Sequence, residues 1–280
     1  MTKYRMLAVI TKYWKPGENY LKKIEESVEG KIGDGDLLVI SEKAVSTASN
    51  NIVDESKVRP SLSAKIIAGC WMRIAWGYFL GILCHFRSQL LQRLRTYPFA
   101  MGSPHKQVAL QYAGLLQALM FGSEGGIDGS NLAYSYVSLP LNNADKIAER
   151  IREQVWLKFR KKICVIIVDT DKTYSFRNFH FTPRPKPIKG INSYCGFFAY
   201  VFGRTLKLKK RATPVAVAGC KISVEEALQI AEAANRMRGF GAGRTVWDMA
   251  ARFNVNLADV TWEMLDTVKH KPIIIVKRKR

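Results

Sequence analysis

Asp169, Thr170 and Asp171 follow a run of β-branched apolar residues in CVIIVDTDKT, residues 164–173. Such a run reads as a buried strand. Two carboxylates and a hydroxyl at its carboxyl end suit a hard cation such as magnesium, which takes one or two carboxylates and completes its shell from substrate phosphates. Without a cation or basic groups beside them the acids would repel each other. The plainer alternative is that Asp169 caps a turn.

Two further stretches carry donors. In SEGGIDGSN, residues 123–131, paired glycines free the backbone for close approach to a ligand, and Asp128, Ser130 and Asn131 offer a carboxylate, a hydroxyl and an amide. The same residues could satisfy an Asx-rich turn instead. In RGFGAGRT, residues 238–245, Gly239, Gly241 and Gly243 alternate between Arg238 and Arg244. That pattern suits phosphate oxygens through backbone N–H groups and guanidinium forks, or simply a helix cap and connector.

Other signals point elsewhere. Residues 245–265, TVWDMAARFNVNLADVTWEML, have the cadence of a helix-turn-helix, but Asp259, Glu263 and Asp266 would oppose a phosphate-lined groove. The stretch therefore reads as packing, with Trp247, Met249, Phe253, Trp262 and Leu265 in the core. KRKR at 277–280 reads as a solvated tail. None of His85, His105, His180 and His270 has a catalytic context, surface or capping roles being expected for the last three, and no Ser/His/Asp signature is present.

These donors must be held by regular elements. Short apolar runs at 36–41, 163–169, 214–219 and 272–276 predict strands. Val108, Tyr112, Leu115, Leu116 and Leu119 make one helix face over 106–121. A second helix starts at Ser223, with Glu226 completing a capping box, Ala227, Ile230, Ala231 and Ala234 inward, and Gly239 at its end. The strands are irregularly spaced, which predicts an α+β fold of mixed sheets with packed helices rather than β-α-β alternation. There is neither a G-x-G-x-x-G opening a helix nor a Walker A sequence. No linker divides residues 1–280 into separate domains.

Lys and Arg number 44 against 23 Asp and Glu, and the formal charge of +21 favours anionic partners: nucleotides, phosphorylated metabolites, nucleic acid or anionic membrane surfaces. The five cysteines form no C-x-x-C pair and predict buried thiols in a reducing compartment, hence a cytoplasmic protein. The amino terminus does not have the pattern of a secretory signal. Ile66 to Phe86 is nearly long enough to span a bilayer, yet Arg73 and three glycines interrupt it, so a buried helix and no membrane partner are expected.

In their order along the chain these stretches resemble the coenzyme F420-0:gamma-glutamyl ligase family, whose members add glutamate to a deazaflavin coenzyme precursor using GTP and a divalent metal. The anchors are KPGE (15–18), GDLLVIS (35–41), GGIDGSN (125–131), VIIVDT (165–170), FGR (202–204) and RGFGAG (238–243), spread over most of the chain. The resemblance implies a two-lobed, intertwined ligase architecture over 1–280, a homodimer, and Mg2+ or Mn2+ held by Asp128, Asp169 and Thr170. It also implies a GTP site lined by Lys12, Tyr13, Trp14, Glu42, Lys43, Asn131, Gly239, Gly241, Gly243 and Arg244, with a small-molecule carboxylate acceptor and L-glutamate as the other substrates.

Two positions depart from the family pattern. Thr47 stands where a lysine is usual, with Lys43 four residues upstream, and Phe240 stands where a metal-binding Glu or Gln is expected. Asp171 or Glu124 could supply the oxygen, and Lys172, Arg177 or Arg244 the charge. Segment 66–105 has no assigned counterpart in the family and is where an acceptor could be recognised. Two functions follow: a GTP- and metal-dependent ligase, or a non-catalytic nucleotide- or nucleic-acid-binding homologue.

Overall fold

Leu37–Ile40 of the strand Leu37–Ser41 and the first five residues of Cys164–Phe176 are apolar at every position, which suits strands covered on both faces. In the computed structural model, which describes residues 4–122 and 124–278, they lie side by side in parallel as β2 and β5. The other strands of the main sheet pair antiparallel: β1 (Tyr4–Thr11), β6 (Phe179–Phe181), β7 (Lys209–Ala218) and β8 (His270–Arg278). The order is β1-β8-β2-β5-β6, with β7 also paired to β5. A separate short ribbon joins β3 (Ile52–Asp54) to β4 (Tyr136–Ser138). The class is mixed α+β.

Alternation along the strands decides what covers each face. Leu38, Ile40, Val165, Ile167, Ile273 and Ile275 pack with α1 (Tyr20–Val28), α2 (Glu42–Ala48) and α7 (Ala144–Phe159). Leu37, Val39, Ile166, Val168, Ile274 and Val276 pack beneath Ile230, Ala231 and Ala234 of α9 (Val224–Arg238). Each such side chain, fully buried, contributes about 1.5–3 kcal/mol. Helix α9 begins at the Ser223 cap, whose oxygen accepts from the Glu226 N–H, and stops at Gly239.

A second apolar cluster gathers α3 (Leu62–Leu83), α4 (Ser88–Arg95), α5 (Phe99–Tyr112), α6 (Leu115–Ala118) and α8 (Phe197–Thr205). Glu55 and Glu124 bound a stretch without Asp or Glu that holds eight Lys and Arg. A third, smaller cluster holds α10 (Val246–Phe253) and α11 (Trp262–Asp266), where Met249, Trp262 and Leu265 are buried and Phe253 half-buried. Half-buried Trp247 packs on the α3–α8 cluster instead.

Several expectations are corrected. The helix foreseen over 106–121 begins at Phe99 and breaks at Gly114, whose φ of 96° no helix accommodates; the apolar spacing continues across the break and disguises it. Helix α3 forms but is not a buried helix, since only 33% of its apolar window is buried. Ala64, Ala68, Met72 and Trp76 suffice to pack one side, while Leu62, Ile66, Ile74, Tyr78, Phe79, Ile82 and Leu83 face outward. Between Ile67 and Leu80 it winds wide, with the Gly81 N–H bonded five residues back to Trp76.

The cysteines are not all thiols. Pairing of Val165 with Ala218 brings Cys164 next to Cys220, with Cα atoms 5.3 Å apart, and the two form a disulfide. Cys84 is a buried thiol; Cys70 and Cys195 are exposed. His180 is buried, bonded to Ser175, rather than at the surface. Lys277 and Arg278 are not tail but the end of β8, near Asp36 and Glu226; Lys279 and Arg280, like Ser123, lie outside the described residues.

Candidate functional site

β5 does not stop at Asp169, as its apolar run suggests, but continues to Phe176. Its register against β7 slips between Asp169 and Lys172, a bulge that leaves Thr170 and Asp171 outside the ladder. The acids therefore sit at a kink within a long strand. There Asp171, with Thr170, borders a cavity of about 990 Å3 whose wall also includes Tyr13, Lys43, Asp128, Asn131, Arg238, Gly239, Gly241, Gly243, Arg244 and His270.

Asn131 organises one wall. Its backbone is left-handed, φ 59°, a conformation asparagine tolerates. Its side-chain oxygen accepts from the Tyr13 hydroxyl at 3.1 Å and the Ala242 N–H at 2.6 Å, while its amide donates to the Gly243 carbonyl at 2.9 Å. The two glycine-bearing stretches are thereby clamped together. Gly241, φ 58°, has no room for a side chain, because a Cβ would come within 2.6 Å of the Tyr13 hydroxyl. Arg244 stacks on the exposed Phe240 ring, 4.0 Å from its centroid. His270 stacks on Tyr13 with centroids 4.3 Å apart, and burial beside Arg238 and Lys43 lowers its pKa to about 4, leaving it neutral.

Acids and cations alternate beneath this wall. Lys43 pairs with Asp128 and donates to the Ser130 carbonyl at 2.8 Å. Arg184, 2% exposed, reaches Asp169 at 2.7 Å through Nε and Glu42 at 2.6 Å through Nη2. A Cβ on Gly126 would come within 2.6 Å of the Arg184 Nε, so only glycine lets the guanidinium pass. Burial, only partly offset by Arg184, raises the Glu42 carboxyl to about 7. Asp171 accepts from the Gly126 N–H at 3.0 Å, and its pKa is driven well above the carboxylate range by burial and by Asp169, Asp128 and Glu124. Burial lowers the pKa of Arg238, which feels both Asp169 and Asp128.

The site residues expected from sequence are thus distributed unequally. Tyr13, Lys43, Asp128, Asn131, Thr170, Gly239, Gly241, Gly243 and Arg244 share the cavity wall. Trp14 lies in the core, Glu42 is buried in the ion-pair network with Arg184, and Asp169 stands behind Thr170 in the same network; Lys12 offers its carbonyl to His270. Arg184 and His270 carried no sequence signal, lying among ordinary basic residues. The same is true of the clasp in which His105 reaches Glu55 at 2.6 Å and Glu124 at 3.6 Å, with Lys106 on Glu124 at 2.8 Å.

The donor set bears on a metal. Among the described residues no three His, Cys, Asp or Glu side chains converge as an all-protein cage. Yet Asp171 is a buried acid that Arg184 does not fully neutralise, beside Asp128 and Asp169. A magnesium-type ion needs only one or two carboxylates and shares phosphate oxygens and water; Asp128, paired with Lys43, and Thr170 line the cavity, while Asp169 is paired with Arg184 behind it.

Carboxylates at a strand kink, two glycine-bearing stretches tied together and a cavity of about 990 Å3 make up the candidate site. The chain belongs to the F420-0:Gamma-glutamyl ligase family, whose model matches residues 8–220. It is also 32% identical over 287 residues to an uncharacterized protein, MJ1361, of Methanocaldococcus jannaschii, covering 98% of this chain and 97% of that one. Lys43, Asp128, Asn131, Asp169 and Thr170 fall within the family match, whereas the loop at 239–243 and His270 follow it.

Proposed function

We propose that the protein is a GTP- and Mg2+- or Mn2+-dependent ligase that joins a carboxylate acceptor to the amino group of L-glutamate, a gamma-glutamyl type amide bond. The observation that carries the proposal is the Asn131 clamp, which holds the backbone of the glycine loop on the same cavity wall as Asp128 and the β5 kink. In the reaction an acceptor carboxylate oxygen attacks the γ-phosphorus, the bond to the bridging oxygen breaks, and GDP leaves. The glutamate amine then attacks the acyl carbon, phosphate departs, and the nitrogen loses a proton.

Lys43 and Arg238 supply positive charge on the wall where phosphate oxygens would lie. Neutral His270 on Tyr13 presents a flat face suited to a base. A divalent ion held by Asp128, Asp169 and Thr170 would offset phosphate charge during transfer. Alanine at Asp128, and separately at Asp169, abolishes metal-dependent GTP turnover on this reading, and mass spectrometry with a panel of acceptors and amino acids identifies the product. Unchanged turnover in either variant sinks it.

A second reading, a non-catalytic nucleotide- or nucleic-acid-binding homologue, is favoured by two observations. Thr47 is buried with its hydroxyl bonded to the Lys43 carbonyl at 2.8 Å, and Phe240 brings no oxygen. Calorimetric titration with GTP and magnesium, then with an RNA oligomer at two salt concentrations, separates the two, since polyanion binding weakens steeply with salt.

A homodimer completes the proposal. The outward face of α3 presents on the order of 800 Å2 of apolar area, at roughly 200 Å2 per large side chain, and a standard interface takes about 800 Å2 from each partner. Light scattering should show Phe79→Glu to be a monomer; an unchanged dimer would place the interface elsewhere.

A further inference from the structure

Beyond the β5 kink the same strand carries Tyr174, 1% exposed, into another part of the cavity wall. Its ring is fixed. Gly203 of α8 lies against it so closely that no side chain would fit there, and Tyr200 meets it edge-on, with centroids 6.3 Å apart. Yet its hydroxyl, shielded from solvent, has no hydrogen-bond partner. A buried hydroxyl left unpaired costs about 1–3 kcal/mol. A group held so rigidly at a cavity wall, at that cost, is a donor waiting for an acceptor.

The surroundings state the sign of that acceptor. Lys210 lies directly opposite Tyr174 across the β5–β7 ladder, and Arg204 reaches over the Tyr200 ring at 5.9 Å from its centroid; all four residues line the cavity. Arg204 donates Nε and Nη2 to the Cys84 carbonyl at 3.3 and 3.2 Å, which aims the guanidinium. Among the described residues neither Arg204 nor Lys210 has a carboxylate partner, in contrast to Lys172 and Lys209, which pair with Glu232 and Glu225. Burial keeps both phenols protonated, so Tyr174 remains a donor at neutral pH.

We propose that Tyr174, Arg204 and Lys210 form an oxyanion subsite for the end of the acceptor remote from its reacting carboxylate. This rests on the ligase reading above. Across the bulge Asp169 and Tyr174 face Thr213 and Lys210, three ladder positions apart on β7, roughly 10 Å at ~3.3 Å per residue. That is too far for the γ-phosphate and glutamate to share the subsite with the β5 kink. The acceptor is therefore an elongated molecule with an anionic group, carboxylate or phosphate, at its distal end.

The test uses the full chain labelled with [13Cζ]tyrosine, the Tyr174 signal being assigned by its loss in Tyr174→Phe. A non-hydrolysable GTP analogue with magnesium first fills the nucleotide wall; glutarate and inorganic phosphate are then titrated separately. The Tyr174 signal should move with one or both, and the stronger response tells carboxylate from phosphate. Lys210→Gln should weaken that response about tenfold, the worth of one hydrogen bond to a charged group. Tyr174→Phe should keep or raise the melting temperature, because the hydroxyl has no partner to lose. A Tyr174 signal unmoved by both anions, or Lys210→Gln responding like the parent, overturns the subsite. The analogue's own binding is read in the same samples: if it fails while Tyr174 still responds, the subsite stands and the GTP reading falls.

Discussion

Around Asn131 the cavity wall is main chain: a glycine loop, a left-handed asparagine and tight turns at Gly241 and Gly243 that admit no Cβ. Around Tyr174 and His105 it is side chain, with phenols, a guanidinium and an ionic clasp, projected from strands and helices whose backbones are regular. The difference teaches how each part can vary. A main-chain wall fixes residue types through conformation and so keeps a recognisable pattern. A side-chain wall can be rebuilt by substitutions that leave the fold alone, which suits the part that distinguishes one acceptor from another.

The largest effect should come from the floor that both walls share. Arg184→Met leaves Asp169 and Glu42 buried without their guanidinium and should cost about 3–5 kcal/mol in chemical denaturation. A loss below about 1 kcal/mol would show the two walls to be independent of it.

Next is the clasp on the side-chain wall. Burial alone would lower the His105 pKa, but Glu55 and Glu124 carry it from 6.5 up to about 10. A raised histidine stabilises fully below about pH 6.5, and the contribution fades as pH rises through about 10. His105→Gln should therefore cost about 2 kcal/mol at pH 6 and markedly less at pH 10.5. Urea midpoints at the two pH values check this, and an equal loss at both would remove the charge from the explanation.

On the main-chain wall, Gly241→Ala drives a Cβ toward Tyr13 and Asn131. GTP affinity should fall about tenfold, with a strain cost of about 1–3 kcal/mol. Calorimetry on this variant and on His105→Gln sharpens the contrast, because only the glycine variant should lose nucleotide. The smallest change is Phe240→Glu, which returns an oxygen to the loop and should tighten magnesium-dependent GTP binding about threefold. No gain would mean that Asp171 already serves.

Sequence alone determined the strands β2, β5, β7 and β8, the capped helix α9 and the packing role of residues 245–265, and it singled out the stretches around Asp128, Asn131 and the glycine loop that share one cavity wall. Continuous apolar runs, a Ser-x-x-Glu cap and glycines at turns are local patterns with local causes. The break at Gly114 went unseen, because helical spacing continues through it while the conformation of a single residue does not. The Cys164–Cys220 bond, the outward face of α3 and the long continuation of β5 were decided by which elements lie beside one another. The Arg184 bridge, the His105 clasp and the Tyr174 subsite likewise join residues far apart in the chain. An arginine or tyrosine in sequence looks the same whether it faces water or a buried carboxylate, and only the packed structure assigns its partner.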